Sequence, residues 1–243
     1  MKIIDSSVRL ELKNGKFDLQ SVLKNMKDYG ITHSLITPPD KFTAVLNKKA
    51  NVKIAKIVND KPSLFSGLAV ANPWYEKEAE ESLEQAFKAG LSGLYINSVR
   101  QGFRLTESIL TPLLEICSAY GKPVFCHTGT PVMAMPFQLA VLARAFPKIK
   151  FVMGHSAYSD FWYDVIPAAK QSDNIFIDIT CTTGAAVKNY IKQLGAERLL
   201  WGSAYPRSVY KVELEKILRL DLSADDLEKI IHKNAKELWK IAI

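Results

Sequence analysis

Eight short runs of apolar, largely β-branched residues recur along the chain, each followed by a stretch with amphipathic helical spacing. Alternation of this kind, sustained from one end to the other, specifies a parallel sheet whose strands are joined by helical crossovers. The strand segments are Lys2–Ile4, Thr32–Ile36, Leu64–Val70, Gly93–Ile96, Val124–Cys126, Lys150–Met153, Ile175–Ile179 and Leu199–Trp201. Helical spacing covers Asp18–Tyr29, Lys41–Asn59, Glu76–Lys88, Glu107–Tyr120, Pro136–Phe146, Ser159–Gln171, Thr183–Gln193 and Lys211–Leu218, and a terminal helix follows over Leu222–Ile241. Gly30, Gly90, Gly121 and Gly195 stand where helices would end in a left-handed cap. Asp18 and Ser223 suit helix N-caps. All of this fits in 243 residues without a Gly-, Ser- or Pro-rich linker. The expectation is an α/β protein built as a single (β/α)8 TIM barrel over residues 1–243, with an extra C-terminal helix.

Several classes of function are set aside by composition. The 32 basic residues outnumber the 25 acidic ones, for a net charge of +7, but the lysines are scattered through helical stretches instead of forming a stripe. No Cys/His finger spacing, aromatic single-strand platform or basic arm accompanies them, so no nucleic-acid partner is expected. Cys117, Cys126 and Cys181 are an odd set at unrelated spacings, and the opening MKIID contains no apolar signal region. A cytoplasmic protein is expected. Residues 123–143 lack Lys, Arg, Asp and Glu, yet Pro123, Pro131, Pro136 and the segment His127-Thr128-Gly129-Thr130 read as strand, polar loop and helix start, not as a membrane span.

A barrel places its functional residues at the C-terminal ends of its strands. Those positions hold Asp5, Ser6, Ser7 and Arg9; Thr37; Asn72 and Trp74; Asn97, Arg100 and Arg104; His127 and Thr128; His155 and Ser156; Asp178, Thr180 and Cys181; and Ser203, Ala204, Tyr205 and Arg207. Two of the four histidines and four of the seven arginines fall there. His33 and His232 lie elsewhere and are expected to be structural. Neither GxGxxG nor Walker A occurs, which removes the main support for nucleotide binding.

The segments Pro123-Val124-Phe125-Cys126-His127-Thr128-Gly129, Phe151-Val152-Met153-Gly154-His155, Gly202-Ser203-Ala204-Tyr205-Pro206 and Ile231-His232-Lys233-Asn234-Ala235-Lys236-Glu237-Leu238-Trp239 carry a resemblance. In order and spacing they resemble the amidohydrolase-related (amidohydrolase 2) family of the amidohydrolase superfamily. That resemblance implies a metal site of His-x-His after strand one, one histidine after each of strands five and six, and an aspartate after strand eight. The corresponding residues here are Ser7-Val8-Arg9, His127, His155 and Ala204.

Two imidazoles fall short of the three protein ligands that a catalytic zinc ordinarily takes, and Arg9 brings positive charge to the vacated position. The expectation is therefore a degenerate metal site and no metal cofactor. Any weakly held zinc or manganese would rest on His127 and His155, with Asp178 or Cys181 completing the set. Arg9, Arg100, Arg104 and Arg207 offer planar donors for a carboxylate or phosphate, so a small anionic ligand is expected at a mouth that also holds Ser7. The alternative for each arginine is a pairing with a loop carboxylate. His155 suits a general base and His127 a carbonyl polariser, which implies a hydrolase of lactones, esters or amides, or a decarboxylase, acting on a small carboxylated molecule. Ser7 as a nucleophile lacks a nucleophile elbow. The competing class is a catalytically silent barrel that binds a small anion or a protein partner.

Overall fold

The structure, a computed structural model, describes residues 1–243 except for the side chains of Ser159 and Asp160. Eight parallel strands follow one another around a nearly closed barrel in sequence order. They are β1 Ile4–Arg9, β2 His33–Thr37, β3 Phe65–Val70, β4 Gly93–Ile96, β5 Val124–His127, β6 Phe151–Gly154, β7 Ile175–Asp178 and β8 Leu199–Leu200. Their crossovers are α1 Leu19–Tyr29, α2 Asn47–Asp60, α3 Glu76–Lys88, α4 Thr111–Ala119, α5 Pro136–Ala145, α6 Tyr158–Ala169 and α7 Gly184–Leu194, while α8 Tyr210–Leu218 follows β8. At the seam the Ser6 and Arg9 amides donate to the Trp201 and Tyr205 carbonyls at 3.1 and 2.9 Å.

Alternation along the strands sorts the core into two shells. Ile4, Leu35, Leu68, Val70, Tyr95, Phe125, Val152 and Leu200 fill the interior of the barrel. Their neighbours in sequence, such as Ala69, Leu94, Cys126, Met153 and Trp201, face the helices. This is the period-two geometry of a strand, with both faces buried as a parallel barrel demands. The terminal segment 224–239 packs Leu238 and Trp239 into the interior shell and Ile230 and Ile231 into the outer one. A Cβ on Gly93 would lie 2.8 Å from the Trp239 ring, so the absence of a side chain there lets the tryptophan close the bottom of the barrel.

Several element boundaries differ from the sequence expectation. β1 starts and ends later than Lys2–Ile4, with an irregularity between Asp5 and Val8, so Ser7 and Arg9 sit on the strand itself and not beyond it. The expected helix Lys41–Asn59 is broken into Asp40–Ala44 and α2 at Leu46, which adopts φ 59°. A hairpin pairs Leu12–Lys13 with Lys16–Phe17. Its turn is Asn14-Gly15, both at positive φ, a pairing that signals a tight hairpin in sequence. The terminal helix contains a π turn over Lys229–Lys233. Among the described residues no helix is long and apolar enough to cross a membrane, and residues 123–143 form β5, a polar loop and the start of α5.

Candidate active site

The mouth is organised around an unusual turn. Immediately after β6, His155, Ser156, Ala157 and Tyr158 take φ values of 63°, 47°, 57° and 53°, a left-handed turn made without glycine. Left-handed geometry costs an L-residue about 1–2 kcal/mol. Two hydrogen bonds to Asp178 at the end of β7 hold it: the Ser156 hydroxyl donates to the Asp178 carbonyl at 2.7 Å and the His155 amide to the Asp178 carboxylate at 3.0 Å, while the same carboxylate accepts from the Thr180 hydroxyl at 2.8 Å. From across the mouth Gly129 supports the turn: a Cβ there would lie 2.4 Å from the Ala157 carbonyl, so only glycine fits.

The turn aims two rings at the centre. His155 and Tyr158 stack with centroids 4.9 Å apart, and His127 from the end of β5 lies 5.4 Å from His155 and 5.6 Å from Tyr158. Burial and the positive charges of Arg207 and Arg9 press His127 down to about 4. Burial, His127 and the same two arginines hold His155 well below the usual imidazole range. Both rings are therefore neutral at pH 7. His127 Nε2 lies 3.1 Å from the Thr130 hydroxyl, and His155 Nδ1 lies 2.9 Å from the Thr180 hydroxyl. Burial pushes Asp178 up to about 7, against the hydrogen bonds that favour its ionised form.

The four arginines named from the sequence are placed differently from one another. Arg9 is largely buried and pairs with Asp40, the first residue of the short helix after β2; Arg100 reaches the other oxygen of the same carboxylate at 3.1 Å. Arg207 is bonded to the Tyr158 hydroxyl, its guanidinium 5.2 Å from that ring. Arg104 is exposed, and its backbone amide is capped by Glu107. The structure thus brings Arg9, Arg207, His127 and His155 together, attaches Arg100 through Asp40, and leaves Arg104 apart.

Ser7, Arg9, Thr37, Tyr95, Phe125 and His155 line the innermost cavity, whose volume of ≈ 20 Å³ admits a water molecule and little more. Above it, Arg9, Lys41, Asp40, Glu11 and Arg207 line an open vestibule of ≈ 470 Å³. Arg9 lines both. Among the described residues the Ser7 hydroxyl has no hydrogen bond to either histidine, and no group of three or more His, Cys, Asp or Glu side chains is disposed around a metal position. The Asp178 carboxylate is spent on amides and a hydroxyl, and Cys181 packs half-buried with its amide on Glu213. His33 bonds to Ser63 and Ser66, as a structural histidine would.

Asp5 has its own structural task. One of its oxygens accepts the Ser7 and Ser203 amides at 3.1 and 2.8 Å, which ties the end of β8 to the irregularity in β1 that sets Ser7 and Arg9. Sequence inspection alone did not single out Asp40, Thr130 or Tyr158. The first follows the Pro38-Pro39 pair directly after β2, and the last stands three residues beyond His155, so proximity to a strand end was the available signal.

Known proteins share this architecture at low identity. The chain superimposes on 5-carboxyvanillate decarboxylase from Sphingomonas paucimobilis with a TM-score of 0.82 at 17% identity, covering 99% of both chains. It matches a Pseudomonas putida protein proposed as a 2-pyrone-4,6-dicarboxylic acid hydrolase with a TM-score of 0.76 at 18% identity, over 99% of this chain and 98% of that one. Dihydroxybenzoic acid decarboxylase from Polaromonas sp. JS666, which holds manganese, gives 0.77 at 16% identity over 98% and 97%. No curated protein matches the sequence. Residues 14–241 match the amidohydrolase family model, and with the eight-stranded barrel and the histidines closing β5 and opening the turn after β6, the chain belongs to the amidohydrolase family.

Proposed function

We propose that the barrel mouth binds a small carboxylated molecule and acts on it without a divalent metal, as a hydrolase of a lactone, ester or amide or as a decarboxylase. The observation that carries this reading is the convergence of Arg9 and Arg207 on two neutral, buried histidines and a tyrosine. A manganese ion of the kind held by the Polaromonas decarboxylase does not fit this donor set. Only His127 and His155 supply lone pairs at family positions, Ser7, Arg9 and Ala204 replace the remaining ligands, and the guanidinium groups oppose a second cation.

Hydrogen bonding defines a role for His155. With Asp178 ionised, the single hydroxyl proton of Thr180 is donated to the carboxylate, so the Thr180 oxygen accepts from His155 Nδ1–H and Nε2 carries the lone pair. That nitrogen serves as the general base. In lactone or ester hydrolysis it takes a proton from water as the oxygen adds to the carbonyl, and returns that proton to the departing oxygen when the C–O bond breaks. His127 polarises the carbonyl, while Arg9 and Arg207 hold the carboxylate in the vestibule. The inner cavity admits only water, so in this reading the attacking water sits there and the carboxylate in the vestibule.

The test is a screen of lactones and aromatic acids for turnover, on protein passed over chelator. Turnover that survives chelation and is lost in His155→Gln supports the reading; turnover that appears only with added metal refutes it. A second reading, a silent anion-binding barrel, is favoured by the small inner cavity, which leaves little room for a substrate beside His155. It predicts carboxylate binding with no product formed.

A further inference from the structure

Away from the mouth, the upper halves of α2 and α3 enclose a groove of ≈ 620 Å³ with an apolar floor and walls of opposite charge. Leu46, Val52 and Tyr75 line it while remaining 52%, 66% and 42% exposed, and Trp74 beside them is 55% exposed. Leu46 adopts φ 59° at the break before α2, a left-handed conformation that is an outlier for a bulky residue. Clustered exposed apolar side chains of this kind mark a surface that is covered in use.

Charge indicates what covers it. Lys48 and Lys49 are the second and third residues of α2, and Glu76 and Glu78 are the first and third of α3. Among the described residues none of the four has an ion-pair partner, whereas lower down the same helices Lys56–Asp60 and Glu84–Lys88 are paired at 2.8 and 3.0 Å. Lys77 is the one cation in the first turn of α3. Both helices return from neighbouring strands of a parallel sheet, so they run in the same direction and their charged first turns stand at the same height.

We infer that this face pairs with a second copy of the chain, through a two-fold axis lying along the groove. Rotation about that axis exchanges α2 with α3 at constant height. The Lys48/Lys49 wall of one protomer then meets the Glu76/Glu78 wall of its partner twice over, with Leu46, Val52 and Tyr75 buried between. An isologous contact needs just this self-complementarity, and a face with two walls of the same sign would not have it.

Sedimentation of the wild-type protein at micromolar concentration tests the inference, with expected mass that of two chains. Val52→Asp, at a position too exposed to disturb the fold, is expected to run as one chain. So are the reversals K48E/K49E and E76K/E78K, each of which sets like charges face to face. Mixing the two reversed proteins is expected to restore a two-chain species, because every contact in the heterodimer again joins opposite walls. Unchanged thermal melting of each variant shows that the fold is kept. A wild type that stays single-chain, a V52D variant that remains paired, or reversed proteins that fail to associate would overturn the inference. Sedimentation of single-chain protein with anionic phospholipid vesicles would assign the patch to a lipid surface, with the same consequence.

Discussion

Arg9 and Arg207 carry the same charge into the same mouth, yet the structure predicts that they count differently for an anion. The partner of Arg207 is a neutral phenol, so its positive charge is uncompensated, while Arg9 shares its charge with Asp40, which also holds Arg100. Removing Arg207 deletes a charge-assisted hydrogen bond to a bound carboxylate, worth about 1.5–3 kcal/mol. At about 1.4 kcal/mol per factor of ten, Arg207→Ala should weaken carboxylate binding by about tenfold to a hundredfold. Arg9→Ala should also weaken binding, since it removes a donor and leaves Asp40 balanced by Arg100 alone. Asp40→Asn should act in the opposite direction. It frees Arg9 from a partly exposed ion pair of the kind worth about 1 kcal/mol, and so should tighten carboxylate binding by about fivefold. Calorimetric titration of a panel of mono- and dicarboxylates into the three variants and the wild type measures all of these quantities together. Weaker binding in Asp40→Asn, or undiminished binding in Arg207→Ala, would show that the anion sits elsewhere.

Other consequences are open to direct measurement. Protein purified without chelator should carry well under one equivalent of zinc or manganese per chain; a stoichiometric metal removed by EDTA with loss of turnover would contradict the donor-set argument. Truncation after Leu220 should abolish cooperative folding, because Ile230, Ile231, Leu238 and Trp239 are buried against the barrel, and a soluble fragment melting cooperatively would disprove this. His127, depressed by burial to about 4 from the usual 6.5, binds fewer protons folded than unfolded between those values, so its contribution to stability is lost as pH falls. Chemical denaturation at pH 7 and pH 5 should show a loss of stability on acidification that is smaller by about 2 kcal/mol in His127→Gln than in the wild type, given about 1.36 kcal/mol per pKa unit; equal changes in both proteins would refute the assignment. Asp178 at about 7 makes the opposite kind of prediction for activity. Once it is protonated, Thr180 donates to His155 Nδ1 and the basic lone pair on Nε2 is lost, so turnover should rise through about pH 7, and a flat profile would exclude this chain of hydrogen bonds.

The barrel was legible from the residues because its determinants are local and periodic. Runs such as Val124–Cys126 and Lys150–Met153 alternate with amphipathic stretches, and burial on both faces of each strand leaves short, continuous apolar runs bounded by turn residues. The same logic placed His127, His155, Arg9 and Arg207 at one end, since in a parallel barrel every strand terminus points to a single face. Conformations and partnerships set by contacts remote in sequence were not legible. The left-handed turn at His155–Tyr158 violates local backbone preference and exists because Asp178, on the next strand, bonds two of its residues and Gly129 makes room. Asp40 lies 31 residues from Arg9 and 60 from Arg100, so its neutralising role needed the fold to bring them together. Period and pattern determine which residues face the mouth, because they depend on spacing along the chain; the charge each one presents there depends on its neighbours across the barrel, and only the tertiary structure decides those.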